Sequence, residues 1–319
     1  MQRYIARRLI LGALTGVLVS LLIFAILRIA PGDVALMIAM ADGEEVEFTQ
    51  EQIDDIREQM GLNKPLPVQY LVWMRDMVTL DWGTSLFNDS RIWDEFKKKV
   101  PVTFELVIMT VTLATIIGIP VGVIMALKQD TWIDYALRIF SLAGLSMPSF
   151  WTATLLLVGG MYFLNWNPRL GYTSFAEDPI GNLSQYLWPS LVLGYVGIAT
   201  RARMMRSSLL EVLRQDYIRT AHAKGLRYFI VVTRHAMKNA MLPVVTIIGV
   251  SVAVTMGGSV IMERIFNLPG MGNFLVEGMN NRDYPVVQTL ILVFALWVVF
   301  VNLVVDLSYG WLDPRIRYE

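Results

Sequence analysis

The stretch LVIMTVTLATIIGIPVGVIMAL, which runs from Leu106 to Leu127, contains no charged side chain. The hydrocarbon core of a bilayer is about 30 Å thick, and an α-helix needs about 20 apolar residues to cross it. At that depth no water pairs with backbone amides and carbonyls, so the segment must satisfy them within itself, as a helix does. The stretch therefore predicts a transmembrane helix in an integral membrane protein.

Further apolar runs on both sides of this helix extend the prediction to the whole chain. Four of them are long enough to cross a bilayer: Leu9–Leu27, Ile139–Leu164, Ala240–Met262 and Pro285–Val305. The fifth, Tyr186–Thr200, is shorter. The chain has 17% charged residues, whereas soluble domains have about 25%. We predict an all-α membrane bundle of about six transmembrane helices.

Small and ionisable residues refine the prediction for these spans. Gly118 and Gly122 are four residues apart, a spacing that lets a neighbouring helix approach closely. Pro148 lies inside the run Ile139–Leu164 and predicts a bend there, because proline removes a helical hydrogen bond. No Asp, Glu, Lys, Arg or His lies in the middle of a predicted span. This argues against a proton-coupled pump, since such pumps relay protons through intramembrane ionisable groups.

The distribution of charge predicts the topology. The segment Arg201–Lys238 holds nine Lys and Arg residues against two acids, and the positive-inside rule places such a loop in the cytoplasm. Six spans then put both termini in the cytoplasm as well. The segment 31–100 becomes an extracytoplasmic insertion after the first span. Within it, a capping box at Thr49 and Gln52 predicts a short amphipathic helix, which either docks a partner protein or packs on the outer face.

The basic loop contains the clearest local pattern in the chain. Asp216 is a favourable N-cap and Gly225 a favourable helix stop, so the residues between them, Tyr217–Lys224, predict a helix about 12 Å long. A short helix held between two spans can press into a groove on another protein and pass motion to both spans. The alternative is a loop whose positive charge serves only topology.

Several kinds of chemistry are excluded or lack a sequence pattern. The chain has no Cys, which excludes disulfides, thiolate zinc sites and cysteine nucleophiles. It has no Gly-x-x-x-x-Gly-Lys-Ser/Thr loop, so we expect no ATP hydrolysis by this chain itself. His222 and His235 have no partner ligands in the sequence. We predict no catalytic, cofactor-binding or metal-binding residue, and no nucleic-acid partner, because topology accounts for the basic loop.

Several ordered segments carry a resemblance to a known family. In the basic loop they are Asp216-Tyr-Ile-Arg-Thr-Ala-His-Ala-Lys-Gly225-Leu and Arg234-His-Ala-Met-Lys-Asn-Ala-Met-Leu-Pro243; elsewhere they include Ala30-Pro31-Gly32-Asp33, Ser146-Met-Pro148-Ser-Phe150-Trp151, Arg282-Asp283-Tyr284-Pro285 and Asp313-Pro314-Arg315-Ile316. Together they resemble ABC importer permeases of the peptide/nickel branch, and within it the first of the paired permeases of dipeptide and oligopeptide importers. The broad importer consensus for the loop is Glu-Ala-Ala, three variable residues, then Gly, of which only Ala221 and Gly225 match here.

The resemblance implies a type I importer fold and a set of partners. It makes 101–308 the permease core with a coupling loop at 206–238, 1–30 the N-terminal end with the first span, and 309–319 a cytoplasmic tail. The implied partners in a bacterial or archaeal cytoplasmic membrane are a second homologous permease, two ATPases that bind ATP and Mg, and an extracytoplasmic solute-binding protein. The expected cargo is di- or oligopeptides. Nickel complexes, glutathione and oligosaccharides remain open, as does a secondary transporter that works without ATPases.

Two groups of candidate site residues follow. The candidates for coupling to the ATPases are Tyr217, Ala221, Lys224, Gly225 and Leu226. We expect Ala221 to be small because a helix packed in a groove leaves little room. The candidates for the translocation path are Ser251, Thr255 and Ser259, which recur every four residues on one face of the fifth span. The alternative for these hydroxyls is hydrogen bonding between helices.

Overall fold

The computed structural model describes residues 2–29, 57–58, 63–169 and 171–312. The main helices are α1 (Gln2–Ile29), α2 (Leu66–Thr79), α3 (Ile92–Leu127), α4 (Trp132–Ser146), α5 (Ser149–Leu164), α6 (Pro179–Leu213), α7 (Asp216–Ala223), α8 (Tyr228–Ile230), α9 (Met237–Ile265), α10 (Met271–Asn280) and α11 (Tyr284–Leu312), with a π-helical segment at Val231–Ala236 between α8 and α9. Over the described ranges no strand forms, apart from one isolated bridge between Thr84 and Arg91. The capping box predicted at Thr49 lies outside the described residues.

The predicted all-α membrane fold is confirmed. The helices α1, α3 and α11 are long and apolar enough to cross a bilayer, as is α9 together with the residues before it from Tyr228 onward, and α4 with α5 forms a fifth candidate as one bent span. The short predicted span Tyr186–Thr200 lies within α6, which is 35 residues long. At about 1.5 Å per residue α6 exceeds the thickness of the bilayer core. The helix α6 is less apolar than these five candidate spans, so its length is the reason to assign it as the sixth crossing.

The bend predicted at Pro148 is confirmed, and it is sharp. The axes of α4 and α5 differ by 105°. Met147 has an extended backbone, with φ −93° and ψ 126°, because a proline ring disfavours the helical conformation of the residue before it. The run Ile139–Leu164 is therefore two helices rather than one.

The chain divides into two compact units. The terminal unit comprises Met1–Thr103 and Pro269–Glu319, and the central unit comprises Phe104–Leu268. The terminal unit contains α1 and α11, which lie far apart in the sequence, whereas the sequence analysis predicts consecutive parts. The linear parts 1–30, 31–100, 101–308 and 309–319 stay a prediction.

In the terminal unit the first helix packs along the last. Arg8 forms an ion pair of 2.5 Å with Asp306, and the Tyr4 hydroxyl donates to the Asp306 backbone carbonyl at 2.8 Å. The segment before α3 is held by Ser85, whose hydroxyl donates to the Asp283 carboxylate at 2.5 Å. These polar contacts fix the register of elements that lie far apart in the sequence.

In the central unit α3 and α6 cross at short distance, as the glycine spacing predicted. A Cβ atom added at Gly118 would lie 2.9 Å from the carbonyl oxygen of Ile198, and one added at Gly122 would lie 2.5 Å from that of Ala202. Contacts this short are not available to real Cβ atoms, so only glycine permits the crossing. The apolar core below it includes Met205 of α6.

Candidate coupling and translocation sites

The short helix α7 forms in the basic loop as predicted, with one difference at its start. Its N-cap is Gln215, with φ −72° and ψ 149°, so the prediction of Asp216 as N-cap is wrong by one residue. Asp216 lies in the first turn instead, where its carboxylate accepts from Arg219 at 3.3 Å on the protein surface. A negative charge is favourable there because the N-terminal end of a helix carries partial positive charge.

The predicted stop of α7 at Gly225 is confirmed in detail. Gly225 has φ +76°, a left-handed backbone that glycine adopts without steric cost. Its N–H donates to the His222 carbonyl at 2.9 Å, and the Leu226 N–H donates to the Ala221 carbonyl at 3.4 Å. This pair of bonds is a Schellman motif, which satisfies carbonyls that the helix end leaves free.

One face of α7 packs into the central unit. Ile218 is 1% exposed and Ala221 is 7% exposed, and both belong to a core with Leu209 of α6 and Val244 of α9. Ala221 therefore has to be small because it packs against its own chain, and its candidate role in contact with an ATPase stays a prediction. The arrangement attaches α7 to the helices before and after it.

Tyr217 at the start of α7 and three residues after the helix present exposed apolar surface. Tyr217 is 43% exposed, Leu226 37%, Tyr228 53% and Phe229 75%, and we call these four residues the α7 patch. The His222 ring stacks on Tyr228 at 5.8 Å between ring centroids, with 19° between the ring planes. Exposed apolar surface of this kind is typical of protein–protein or membrane interaction sites.

A polar bond also connects the α7 patch to α9. The Asn239 side-chain amide donates to the Tyr217 hydroxyl at 2.8 Å. Asn239 lies near the start of α9, two residues after its first residue Met237. The helices α7 and α9 are thus connected by this bond and by the shared core.

The candidate path residues divide into two kinds. Ser251 and Thr255 line a cavity of about 460 Å³ between helices of the central unit, and the Thr255 hydroxyl donates to the Ser251 carbonyl at 2.6 Å. Ser259 is fully buried, does not line this cavity, and donates to the Met256 carbonyl of its own helix at 2.8 Å. The structure thus brings two of the three hydroxyls to one cavity.

Comparison with known proteins agrees with these features over the whole length of the chain. Residues 118–318 match the family described as binding-protein-dependent transport system inner membrane component, and residues 1–107 match the N-terminal region of the same membrane component. This chain belongs to that family. As a permease it is 39% identical to the dipeptide transport system permease protein DppB of Alkalihalophilus pseudofirmus, and 38% identical to DppB of Escherichia coli K12, in each case over 100% of both chains.

A solved structure supports the fold of the permease. The chain is similar to one in the inward-facing MetNI methionine ABC transporter, with a TM-score of 0.52 and 16% sequence identity, covering 68% of this chain and 96% of the other. At this identity the likeness establishes the fold alone. The all-α type I importer permease fold is confirmed by this match together with the family match.

The permease carries a buried charge that the sequence analysis missed. Arg201 is 1% exposed and lies inside α6, which continues to Leu213. The sequence analysis places Arg201 directly after the predicted span Tyr186–Thr200, in the basic loop, whereas the structure places it within one continuous helix. The glycine at 197, one helical turn earlier, was the available signal, since the Arg201 guanidinium lies over its Cα.

A second buried ionic group joins α4 to α6 in the permease. The Asp134 carboxylate is fully buried and accepts from Arg206 Nε at 3.0 Å and Nη2 at 2.9 Å. Arg138 donates to the same carboxylate through Nε at 3.0 Å and through Nη2, and the backbone N–H of Asp130 adds a bond of 3.0 Å. Paired hydrogen bonds between a guanidinium and a carboxylate are among the stronger polar contacts in proteins.

Proposed function

We propose that this chain is one permease subunit of an ATP-driven importer that carries peptides into the cell. The cargo is supported by the relatives named dipeptide transport system permease, which match the full length of the chain. The chain itself is not an enzyme in this proposal, and ATP with Mg is bound by partner subunits. Its own role is to form part of the path and to respond to those subunits.

The proposed assembly contains a second homologous permease, two ATPases and an extracytoplasmic solute-binding protein. Family membership supports these partners, because the family is defined by binding-protein-dependent transport. The permease lies in the cytoplasmic membrane of a bacterium or archaeon and crosses it six times, with both termini in the cytoplasm. The eight Lys and Arg residues from Arg203 to Lys238 support this orientation.

The observation that carries the proposal is an exposed apolar patch next to a helix that is packed into the core. The helix α7 is held by Ile218 and Ala221 in the core that α6 and α9 share, and Tyr217 with the segment after α7 presents the α7 patch. In the proposed mechanism ATP binding closes the ATPase pair, the ATPase displaces α7, and α6 and α9 tilt to open the outer side. The coupling residues are Tyr217, Lys224, Gly225 and Leu226 at the contact, with Ala221 seating the helix.

Affinity purification tests the assembly and the role of the patch together. The permease, tagged at its native locus and purified in mild detergent, is expected to bring a second permease and ATPase subunits with Walker motifs. Phe229→Ala is expected to lower recovery of the ATPases, whereas Phe163→Ala on α5 is a matched control, since the two side chains are 75% and 78% exposed. Recovery of the chain alone under conditions that preserve known complexes would refute the proposal.

Transport is then measured on the purified complex in proteoliposomes. With the binding protein and ATP supplied, we expect uptake of di- and oligopeptides. Nickel complexes, glutathione and oligosaccharides serve as competing cargoes. Uptake of one of these in place of peptides would refute the peptide assignment while retaining the importer.

A further inference from the structure

The position of Arg201 beside the midpoints of two apolar runs distinguishes it from the other basic residues of the central unit. Its Nη2 donates to the hydroxyl of Ser251 at 2.5 Å, and Ser251 is the midpoint of the apolar run Ala240–Met262. Its Cβ lies 3.0 Å from the position that a Cβ on Gly118 would occupy, close to the midpoint of Leu106–Leu127. Two neighbouring spans thus place this guanidinium near the middle of the bilayer, where ionisable groups are rare and mark sites of function.

The hydrogen bonds of Arg201 leave most of its donors unused. A guanidinium has five N–H donors and no acceptor. Within the described part of the chain, its hydrogen bond is the one to Ser251, and its Nε has no partner although it is buried. No carboxylate among the described residues forms an ion pair with it, in contrast to Arg206, which pairs with Asp134. A buried charge is costly unless it is paired, which favours an anionic partner from outside the set of described side chains.

The surroundings of Arg201 provide room for such a partner. Arg201 lines the cavity of about 460 Å³ together with Ser251 and Thr255, and it is the one ionisable side chain among the lining residues. Cavities that bind small molecules have volumes of about 300–1,000 Å³, with mainly apolar walls and a few polar groups that fix orientation. The remaining walls here are mostly apolar, formed by residues such as Leu193 and Val250.

We propose that Arg201 binds the terminal carboxylate of the peptide during its passage through the permease. This inference rests on the proposed function, because the carboxylate that binds Arg201 belongs to the transported peptide. A carboxylate matches the planar guanidinium, which donates to its two oxygens in parallel. Every linear peptide with a free C-terminus carries this group whatever its side chains, and the apolar walls accept side chains of different shapes. Arg201 is accordingly a specificity residue for the free acid.

A single engineered cysteine measures the charge in the cavity directly. The chain has no native Cys, so Val254→Cys, at a position that lines the cavity and is 70% exposed, gives this subunit one thiol. Anionic and cationic methanethiosulfonates are compared, and labelling of this subunit is read by mass spectrometry. The ratio of anionic to cationic rates is expected to fall about tenfold with Arg201→Gln. Arg203→Gln on the same helix, exposed and outside this cavity, is expected to leave the ratio unchanged.

Protection of the same thiol identifies the anion. In the presence of Arg201, a dipeptide with a free C-terminal carboxylate is expected to slow labelling of the thiol. The same dipeptide with an amidated C-terminus is expected to leave the labelling rate unchanged. Arg201→Gln removes the difference between acid and amide. Inorganic phosphate is the third probe. Protection by phosphate without protection by the dipeptide acid would overturn the inference in favour of a general anion site.

A purely structural role for Arg201, as a link from α6 to α9, predicts different results. Under that role Ser251→Ala and Arg201→Gln act alike, since both remove the same hydrogen bond. We expect Ser251→Ala to retain the charge ratio and the acid protection, and Arg201→Gln to lose both. Arg201→Lys keeps the positive charge and is expected to keep the ratio of anionic to cationic labelling rates. This variant still tests the inference if Arg201→Gln does not assemble into the complex. Equal behaviour of all three variants and the parent would overturn the inference.

The failure of this inference is distinguishable from failure of the proposed function. If the parent complex takes up no peptide in proteoliposomes, the proposed function fails. If it takes up peptide while Arg201→Gln leaves the charge ratio and the acid preference as in the parent, only the role of Arg201 fails.

Discussion

Replacement of Gly225 by valine tests whether the end of α7 couples ATPase activity to transport. Gly225 has φ +76°, and an added Cβ would meet no atom within 4 Å. The substitution therefore introduces backbone strain without a steric clash. A left-handed backbone costs a residue with a Cβ about 1–2 kcal/mol, and a β-branched residue lies at the upper end. We expect this strain to open the Schellman motif and release the turn that carries Leu226.

A second glycine in the same chain provides the matched control. Gly83 has φ +77° and likewise no atom within 4 Å of an added Cβ, but it lies before α3 in the terminal unit, away from α7 in the sequence. Gly225→Val and Gly83→Val are thus expected to lower the free energy of unfolding by the same amount, about 1–2 kcal/mol. Only Gly225→Val is expected to separate ATP hydrolysis from uptake.

The assay compares the two variants in proteoliposomes that contain the full complex. Peptides taken up per ATP hydrolysed are measured at equal amounts of reconstituted protein, and thermal unfolding in detergent reports stability. Gly225→Asn, which tolerates the left-handed region better than valine, is expected to retain intermediate coupling. Unchanged coupling in Gly225→Val, or an equal loss in Gly83→Val, would refute the reasoning.

Three further substitutions test the packing around the sites. Ala221→Leu is expected to destabilise the protein by about 1–3 kcal/mol through overpacking, whereas Thr220→Leu, which is exposed, is not; thermal unfolding measures both. Gly122→Ala would place a Cβ 2.5 Å from a carbonyl of α6, whereas Gly159→Ala meets nothing within 4 Å, so only the first is expected to lower the midpoint of thermal unfolding. Asp134→Asn weakens a set of five hydrogen bonds and is expected to cost roughly 3–5 kcal/mol, measured in the same way; an unchanged midpoint would contradict the structural role of this cluster.

Much of the fold could be predicted from the sequence because the bilayer imposes a simple requirement on it. Runs of about 20 apolar residues predict spanning helices directly, and α1, α3, α9 and α11 contain the runs expected of them. The pattern in the basic loop likewise predicted α7 and its stop at Gly225, since helix ends depend on local chemistry. The N-cap was misplaced by one residue because Asp is the favoured residue type at that position, whereas the helix already begins at Asp216 and its N-cap is Gln215.

The features that depend on packing between helices could not be predicted. Composition ends the short apolar run at Thr200, yet α6 continues to Leu213 because its further residues pack into the core around Met205 and Leu209. Arg201 was consequently read as part of a loop. Its pairing with Ser251 joins positions 50 residues apart, and nothing in the local sequence indicates that contact. The role of the site residues in transport stays a prediction.

The order of synthesis has a consequence for the pairing of α1 with α11. Arg8 and Asp306 are 298 residues apart, so α1 is synthesised well before the helix that it contacts. At about 5–20 residues per second, the roughly 250 residues between α1 and α11 take about 13–50 s to synthesise. During that interval the flank of α1 that will contact α11 has only lipid or other proteins beside it. The pairing of α1 with α11 therefore waits for the synthesis of α11, and any factor that shields α1 has to leave before α11 can dock.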